Sequence, residues 1–222
     1  TLTDKIIHSG DTDTFIRFPS ADTFSVDTAG TKQLEIDSAG TATFTVDAVI
    51  NGVSLGKGAN SVSTNTAFGV TALDAAVTGT NNTANSSAND NVAVGFQALL
   101  SNTTGTLNIG IGSLAGDAIT TGNQNIAIGY RSLSANQTGG NNVAIGVDSQ
   151  KVSTASNNTS VGYNTLIANT SGSANTVMGQ EALDANTTGD NNSAFGADSL
   201  GSNTTGDKNT GIGFQALVNN ST

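Results

Sequence analysis

The 222-residue chain has no cysteine and no tryptophan, one proline (Pro19) and one histidine (His8). Without cysteine, disulfides and thiolate–metal centres are excluded, and the redox compartment stays undecided. A lone His8 with no sequence-evident partner leaves a catalytic triad or a His-ligated metal site without members. Aromatic residues make up 5% of the chain and hydrophobic ones 36%, which is thin for a globular core of this length. Charge is scarce too, at 11%, so this is not the charge-rich composition of a disordered chain. No apolar run approaches the roughly 20 residues of a membrane span, and Thr1-Leu2-Thr3-Asp4-Lys5 has no signal-peptide pattern. Seven basic residues against 17 acidic ones give a net charge of −10. That balance argues against a phosphate-binding face for nucleic acid and against docking on anionic lipid. It suits the solubility of a long exposed assembly. The chain starts with Thr1 rather than Met, as a piece of a longer protein would.

What the chain does have is Gly, Ala, Ser, Thr and Asn laid out at a fixed period. The motif Asn125-Ile126-Ala127-Ile128-Gly129 recurs nine times, with its glycine at 69, 95, 112, 129, 146, 162, 179, 196 and 213. The intervals are 26, 17, 17, 17, 16, 17, 17 and 17 residues. An asparagine stands four positions before each glycine: Asn65, Asn91, Asn108, Asn125, Asn142, Asn158, Asn175, Asn192 and Asn209. Such self-similarity is the signature of a solenoid, in which each coil buries a small patch and stacking makes the patches continuous.

Positions are counted from the repeat glycine. Position −1 is always apolar: Phe68, Val94, Ile111, Ile128, Ile145, Val161, Met178, Phe195 and Ile212. Position +4 is leucine except at Gly116 and Gln150, and position −2 is small except at Val177. Since −1 and −2 face opposite sides of a strand, the reading is that −1 and +4 fill each coil while −2 lies against another subunit. Turn glycines recur ten residues after the key glycine, as in Asn102-Thr103-Thr104-Gly105, but not in the 16-residue interval. The density of Gly, Asn, Thr and Ser disfavours a helix. Two strands of about 5 residues joined by two turns fit the unit. The asparagine column is expected to form a structural ladder of stacked amides, as in cross-β stacks, or to satisfy turn backbone. The long first interval places an insertion in Thr80–Asp90, read as a solvent-exposed loop, the place where binding insertions in repeat proteins also fall.

Ahead of the coils (65–222) lie an N-terminal region (1–50) and a junction (51–64). Phe24-Ser25-Val26-Asp27, Leu34-Glu35-Ile36-Asp37 and Phe44-Thr45-Val46-Asp47 are ten residues apart and alternate apolar with polar, the pattern of half-buried strands. They predict a three-strand meander, or strands given to a multi-chain shaft, because a lone ribbon would expose an apolar face. In the junction, Asn51-Gly52 predicts a tight hairpin. Gly56–Ser61 predicts a loop and does not match a phosphate-binding glycine pattern.

No enzymatic, cofactor or metal site emerges. Glu181, Asp184 and Asp190, the acids nearest the pairing a glycosidase needs, sit at variable repeat positions. Calcium binding would show aspartate recurring in register, yet Asp148 with Asp198, Asp74 with Asp184, and Asp190 with Asp207 leave every column unfilled. Stacked threonine pairs such as Thr120-Thr121 and Thr187-Thr188 adjoin turn glycines rather than a flat strand centre, unlike an ice-binding face. The aromatics Phe96, Tyr130, Tyr163 and Phe214 share position +1 and are read as subunit or coil contacts, with sugar stacking as the alternative.

Asn91-Val92-Ala93-Val94-Gly95-Phe96-Gln97-Ala98-Leu99 with Asn102-Thr103-Thr104-Gly105 resembles the head repeats of trimeric autotransporter adhesins of the YadA type. It resembles still more the repeats of bacteriophage tail fibres, especially those of phages infecting cyanobacteria, and the Asp11–Asp47 stretch resembles these fibres as well. The resemblance covers most of the chain. It implies a homotrimer of parallel, left-handed β-rolls around a threefold axis, consistent with the close partner that the columns call for. The expectation is therefore an all-β chain: a β-solenoid of nine coils of about 17 residues behind a short meander, intertwined as a homotrimer. The implied function is a structural and adhesive component of a viral tail fibre. It would be a rigid virion rod for host attachment, joined to other tail or baseplate proteins through its N-terminal side, with host surface glycan or protein as a further partner. The alternative is the head of a bacterial surface adhesin. Gly116, Gln150, Val177 and the short interval before Gly162 depart from the pattern, and local irregularity is expected there.

Overall fold

A computed structural model describes residues 5–7, 10, 13–20, 22–44, 48–50, 53–56, 64–74 and 90–221. Every regular element among them is a β-strand, and contacts divide the chain into two units, Thr1–Ala48 and Val49–Thr222.

The first unit is an antiparallel meander, in order β1 (Lys5–Ile7), β2 (Phe15–Arg17), β3 (Phe24–Thr28), β4 (Thr31–Ile36) and β5 (Ala42–Phe44). The alternation extends further than the three expected strands, because β1 and β2 continue the sheet. Its register places Ile6, Ile16, Val26, Leu34 and Phe44 in one row across all the strands. Turns between strands are closed locally. Asp37 Oδ1 accepts the N–H of Ala39 (2.9 Å) and Thr41 (2.8 Å), an Asx turn beside Gly40.

The second unit is a β-solenoid, as the repeat predicts, and a parallel one, as the resemblance implies. Its ladder runs from β8 (Thr66–Gly69) through β9 (Val92–Val94), β10 (Ile109–Ile111), β11 (Ile126–Ile128), β12 (Val143–Ile145), β13 (Thr159–Val161), β14 (Thr176–Met178) and β15 (Ser193–Phe195) to β16 (Thr210–Ile212). Every neighbouring pair is parallel with like positions in register, for example Ala127 opposite Ala144. About seven turns are complete. β7 (Val53–Gly56) pairs antiparallel with β8, and β6 (Ala48–Ile50) lies beyond it. The Asn51-Gly52 turn, the Lys57–Ser61 part of the expected loop and most of the Thr80–Asp90 insertion fall outside the described residues.

The coil is built differently from the two-strand unit expected. Each complete coil holds one three-residue strand, −3 to −1, and the rest of the path is turn-like. The chain bends through left-handed residues at +2 and +4, such as Arg131 (φ 51°) and Leu133 (φ 54°). This conformation costs an L-residue about 1–2 kcal/mol. It is held because it sends alternate N–H groups to opposite neighbours: Gln97 N donates to Val70 O in the coil before (3.0 Å), and Leu99 N to Ala115 O in the coil after (3.0 Å). Side chains at +4 therefore converge on the axis although no strand directs them.

The inside and outside of the strand are also the reverse of the expected arrangement. Position −2 is interior: Ala93, Ala127, Ala144, Val177 and Ala194 are fully buried. Position −1 points outward, with Phe68 50%, Ile111 38% and Met178 51% exposed. The reason is parity. The asparagine at −4 is buried, and on a strand of period two −2 must join it. The interior is also narrow. A Cβ on Gly110 would lie 2.8 Å from Leu99 Cγ, and one on Gly211 3.1 Å from Leu200 Cγ. Position −2 is thus small because a leucine from the preceding coil already fills that space, and the bulky aliphatics are left outside.

At the two exceptions in the +4 column, the irregular side chain leaves the path intact. Gly116 keeps the left-handed turn (φ 59°), and Ile119, three residues on, fills the core in place of leucine. Gln150 keeps it too (φ 50°) and is wholly buried. Its amide Nε2 reaches Val143 O (2.9 Å), Ser160 Oγ (2.9 Å) and Asn158 O (3.3 Å). Ser160 stands where alanine would, so a polar layer separates the apolar core into 67–144 and 166–200.

Candidate functional surface

Inside the solenoid, the nine asparagines of the motif form one column. Each Oδ1 accepts the backbone N–H of the next asparagine, from Asn91 onto Asn65 (2.9 Å) through Asn125 onto Asn108 (3.0 Å) to Asn209 onto Asn192 (2.9 Å). From Asn91 to Asn192, each Nδ2 crosses the coil to a turn carbonyl: Asn91 to Gly105 O (3.0 Å), Asn125 to Gly139 O (2.9 Å), Asn192 to Gly206 O (2.8 Å). In the short interval, Asn142 donates to Ala155 O instead (2.9 Å), so the missing glycine breaks no bond. Some rungs also carry a direct amide–amide bond, such as Asn142 Nδ2 to Asn125 Oδ1 (3.1 Å). One side chain type supplies an acceptor along the axis and a donor across it, which is why neither Asp nor Gln replaces it.

A second buried amide column was missed in the sequence. Asn102, Asn136, Asn169, Asn186 and Asn203 are buried at the start of the Asn-Thr-Thr-Gly turn. Asn203 Nδ2 reaches Asn186 Oδ1 (3.2 Å), and Asn186 Nδ2 reaches Asn169 Oδ1 (2.9 Å). The recurrence was visible as the first letter of the turn motif, but Ile119 and Ser153 interrupt it. The threonine after it is committed as well. Thr120, Thr154, Thr170 and Thr187 Oγ1 donate at 2.9–3.0 Å to carbonyls of the next coil. These hydroxyls staple coils together rather than facing solvent as free donors.

The acidic side chains hold different places in the coil. Asp190 Oδ1 accepts Ser173 N (2.6 Å) and Asp207 Oδ1 accepts Asp190 N (2.7 Å), a turn-closing column. Asp148 holds Arg131 through two bonds of 2.9 and 3.0 Å. Asp184 is half-buried, and loss of water around its carboxyl, with Glu181 and Asp198 nearby, raises its pKa.

With the interior accounted for, what the solenoid offers a partner is its outer strand face. Positions −3 and −1 make two aliphatic columns: Val92, Ile109, Ile126 and Val143 beside Val94, Ile111, Ile128 and Ile145. From β13 on, −3 becomes Thr159, Thr176, Ser193 and Thr210, while −1 stays bulky. At ~4.8 Å per coil and ~3.3 Å per residue, the face is roughly 40 Å by 10 Å, two aliphatic columns wide over its first half and one over the rest, and a patch of this order is often functional. The meander, taken by itself, has the same feature. Ile6, Ile16, Phe18, Ile36 and Phe44 are exposed on one side of its sheet. Ser25 and Asp27 are buried on the other, under Arg17, which pairs with Asp27 at 3.0 Å. No protein-family model matches the chain, and no curated protein or solved structure matches it either.

Proposed function

We propose that the chain is a structural and adhesive rod, a component of a viral tail fibre that assembles as a homotrimer of nine-coil, left-handed rolls and holds the particle to its host. The observation that carries this reading is the outward aliphatic face of the solenoid, repeated on the meander. The interior is packed within one chain, which leaves that face with no intrachain use, and burying apolar surface is what stabilises permanent assemblies. Identical chains are the simplest source of a second such face, since a register of one coil per ~4.8 Å matches itself. In this arrangement the small −2 column has no part in the contact, and the Val/Ile columns take its place. The N-terminal side attaches to tail or baseplate proteins, and the coils project outward.

Sedimentation equilibrium of the chain tests the assembly, with three copies expected; a stable monomer at micromolar concentration would sink the reading. Labelling of intact particles with antibodies to the meander and to the coils tests the placement, the meander label expected nearer the tail.

A further inference from the structure

Position +1, directly after the repeat glycine, presents an aromatic ring in alternate coils: Phe96, Tyr130 and Tyr163, with Ser113 and Val147 between them. A fourth ring, Phe214, stands in the last coil. All are exposed, at 49%, 44%, 51% and 73%. Each is followed by a planar hydrogen-bonding side chain: Gln97, Arg131, Asn164 and Gln215. The backbone under these pairs repeats closely. The +2 residues have φ of 55°, 51°, 52° and 53°, and each donates its N–H to the +1 carbonyl of the coil before, at 2.9–3.1 Å. Ring and polar group are therefore offered along one line in a recurring relation. At Tyr130 the arrangement is fixed further. The Arg131 guanidinium lies over one face of the ring, 4.6 Å from its centroid, with Nε and Nη2 given to Asp148, so stacking at this coil uses the opposite face.

Two coils span ~9.6 Å at ~4.8 Å each, about the length of two sugar units in an extended glycan. Aromatic faces stack on the C–H faces of pyranose rings, and amide or guanidinium groups bond the hydroxyls beside them. The net charge of −10 disfavours anionic polysaccharides. We propose that this line of rings is a binding edge for an extended, neutral β-linked glycan, with Phe96, Tyr130 and Tyr163 as platforms. The proposal deepens the attachment reading and rests on it: the rod contacts the host surface along its side.

The probes are cellohexaose, chitohexaose and xylohexaose at millimolar concentration, added to the full chain and its variants and followed by calorimetry. Sedimentation is run on the same samples. At least one hexasaccharide is expected to bind. Tyr163→Ala should weaken it about tenfold, and Tyr130→Ala with Tyr163→Ala should abolish it. Tyr163→Phe, which keeps the stacking face, and Gln180→Ala, at +1 of a coil without a ring, should leave it unchanged. Failure of all three glycans to bind the intact chain overturns the proposal. So does loss of assembly in the alanine variants, since the rings would then be subunit contacts. A trimer that binds none of them sinks the glycan edge alone; a monomer that binds sinks the rod and keeps the edge.

Discussion

In the solenoid, Asn125, Ala127 and Leu133 are fully buried by the chain's own neighbouring coils. In the meander, Ser25 and Asp27 alone are buried among the described residues, while Ile6, Phe18 and Phe44 stay about half exposed. Both units derive from alternating strands. The solenoid closes each strand onto a turn-like return path and so encloses a core. The meander is an open sheet, which has two faces and can cover neither by itself. The difference teaches where the solenoid's stability resides, within one chain, and leaves the meander's apolar face as the part of the molecule that the proposed assembly would cover.

The sharpest way to break the solenoid is at its glycine column. A Cβ on Gly129 would lie 2.5 Å from Gly146 O, at φ +129°. Backbone strain of about 1–3 kcal/mol and overpacking of similar size together predict a loss near 4 kcal/mol for Gly129→Ala, measured by urea unfolding. Gly213, with nothing within 4 Å of its added Cβ, should take the same change with a smaller loss. Equal effects at the two sites would show that coil stacking is not what selects glycine.

Next comes the amide ladder. Asn125→Ala removes the acceptor for Asn142 N–H and the donor to Gly139 O, both buried. At about 1–3 kcal/mol for each stranded group, a loss of roughly 3 kcal/mol is expected. Amide hydrogen exchange should locate it at Asn142, whereas a uniform increase across the solenoid would argue against a local rung.

Much of this was legible beforehand, and what was not has a physical cause. The nine-fold asparagine and glycine columns predict an all-β solenoid, because only stacked identical coils give every copy of a residue the same surroundings; that it is parallel is what the resemblance implies. The face assignment failed at Ile128 and Ala127. Apolar bulk points to the inside, but the leucine at +4 already fills it, and the buried polar Asn125 is the better guide to parity. The left-handed leucines carry no composition signal, since that conformation is stabilised by hydrogen bonds to adjacent coils. Of the meander's two further strands, the one at Phe15–Phe18 is marked by Pro19, which ends a strand there, whereas Ile6-Ile7 is too short to show a period. The outer surface was half legible: Phe96, Tyr130 and Tyr163 stood out as one position, but their exposure depended on the fold.

For the meander, Phe44→Asp is the matching test. Phe44 is 54% exposed in the single chain, so as a plain surface residue it should move stability by no more than about 0.5 kcal/mol. If copies cover the sheet, it loses the burial of a large ring, about 1.5–3 kcal/mol. The expected outcome is the second, seen as a concentration-dependent fall in Tm. A Tm unchanged at all concentrations would make the meander self-sufficient and remove the contrast between the units.

The Gly116–Ile119 pair tests how local the solenoid's own core is. Restoring the common residues together, Gly116→Leu with Ile119→Asn, should be within about 1 kcal/mol of neutral, because the pair conserves what the interior holds. Gly116→Leu alone crowds Ile119 Cδ1, 2.9 Å from an added Cβ, and should cost about 1–3 kcal/mol. Additive effects in the cycle would mean that the two positions do not share one space.

The smallest effect is electrostatic and again separates the units, since Asp184 lies against the solenoid wall. Burial, more than the nearby Glu181 and Asp198, raises its pKa above the ordinary 3.8. The folded state thus binds the proton more tightly than the unfolded chain. Ionised Asp184 weakens the fold fully above the raised folded value, and the penalty fades as pH falls through that value toward 3.8. Asp184→Asn should therefore raise Tm slightly at pH 7, with the gain shrinking steadily as the pH is taken down through the carboxylate range. A gain that grew on acidification would mean that Asp184 is stabilised in its charged form, by a partner rather than strained by its surroundings.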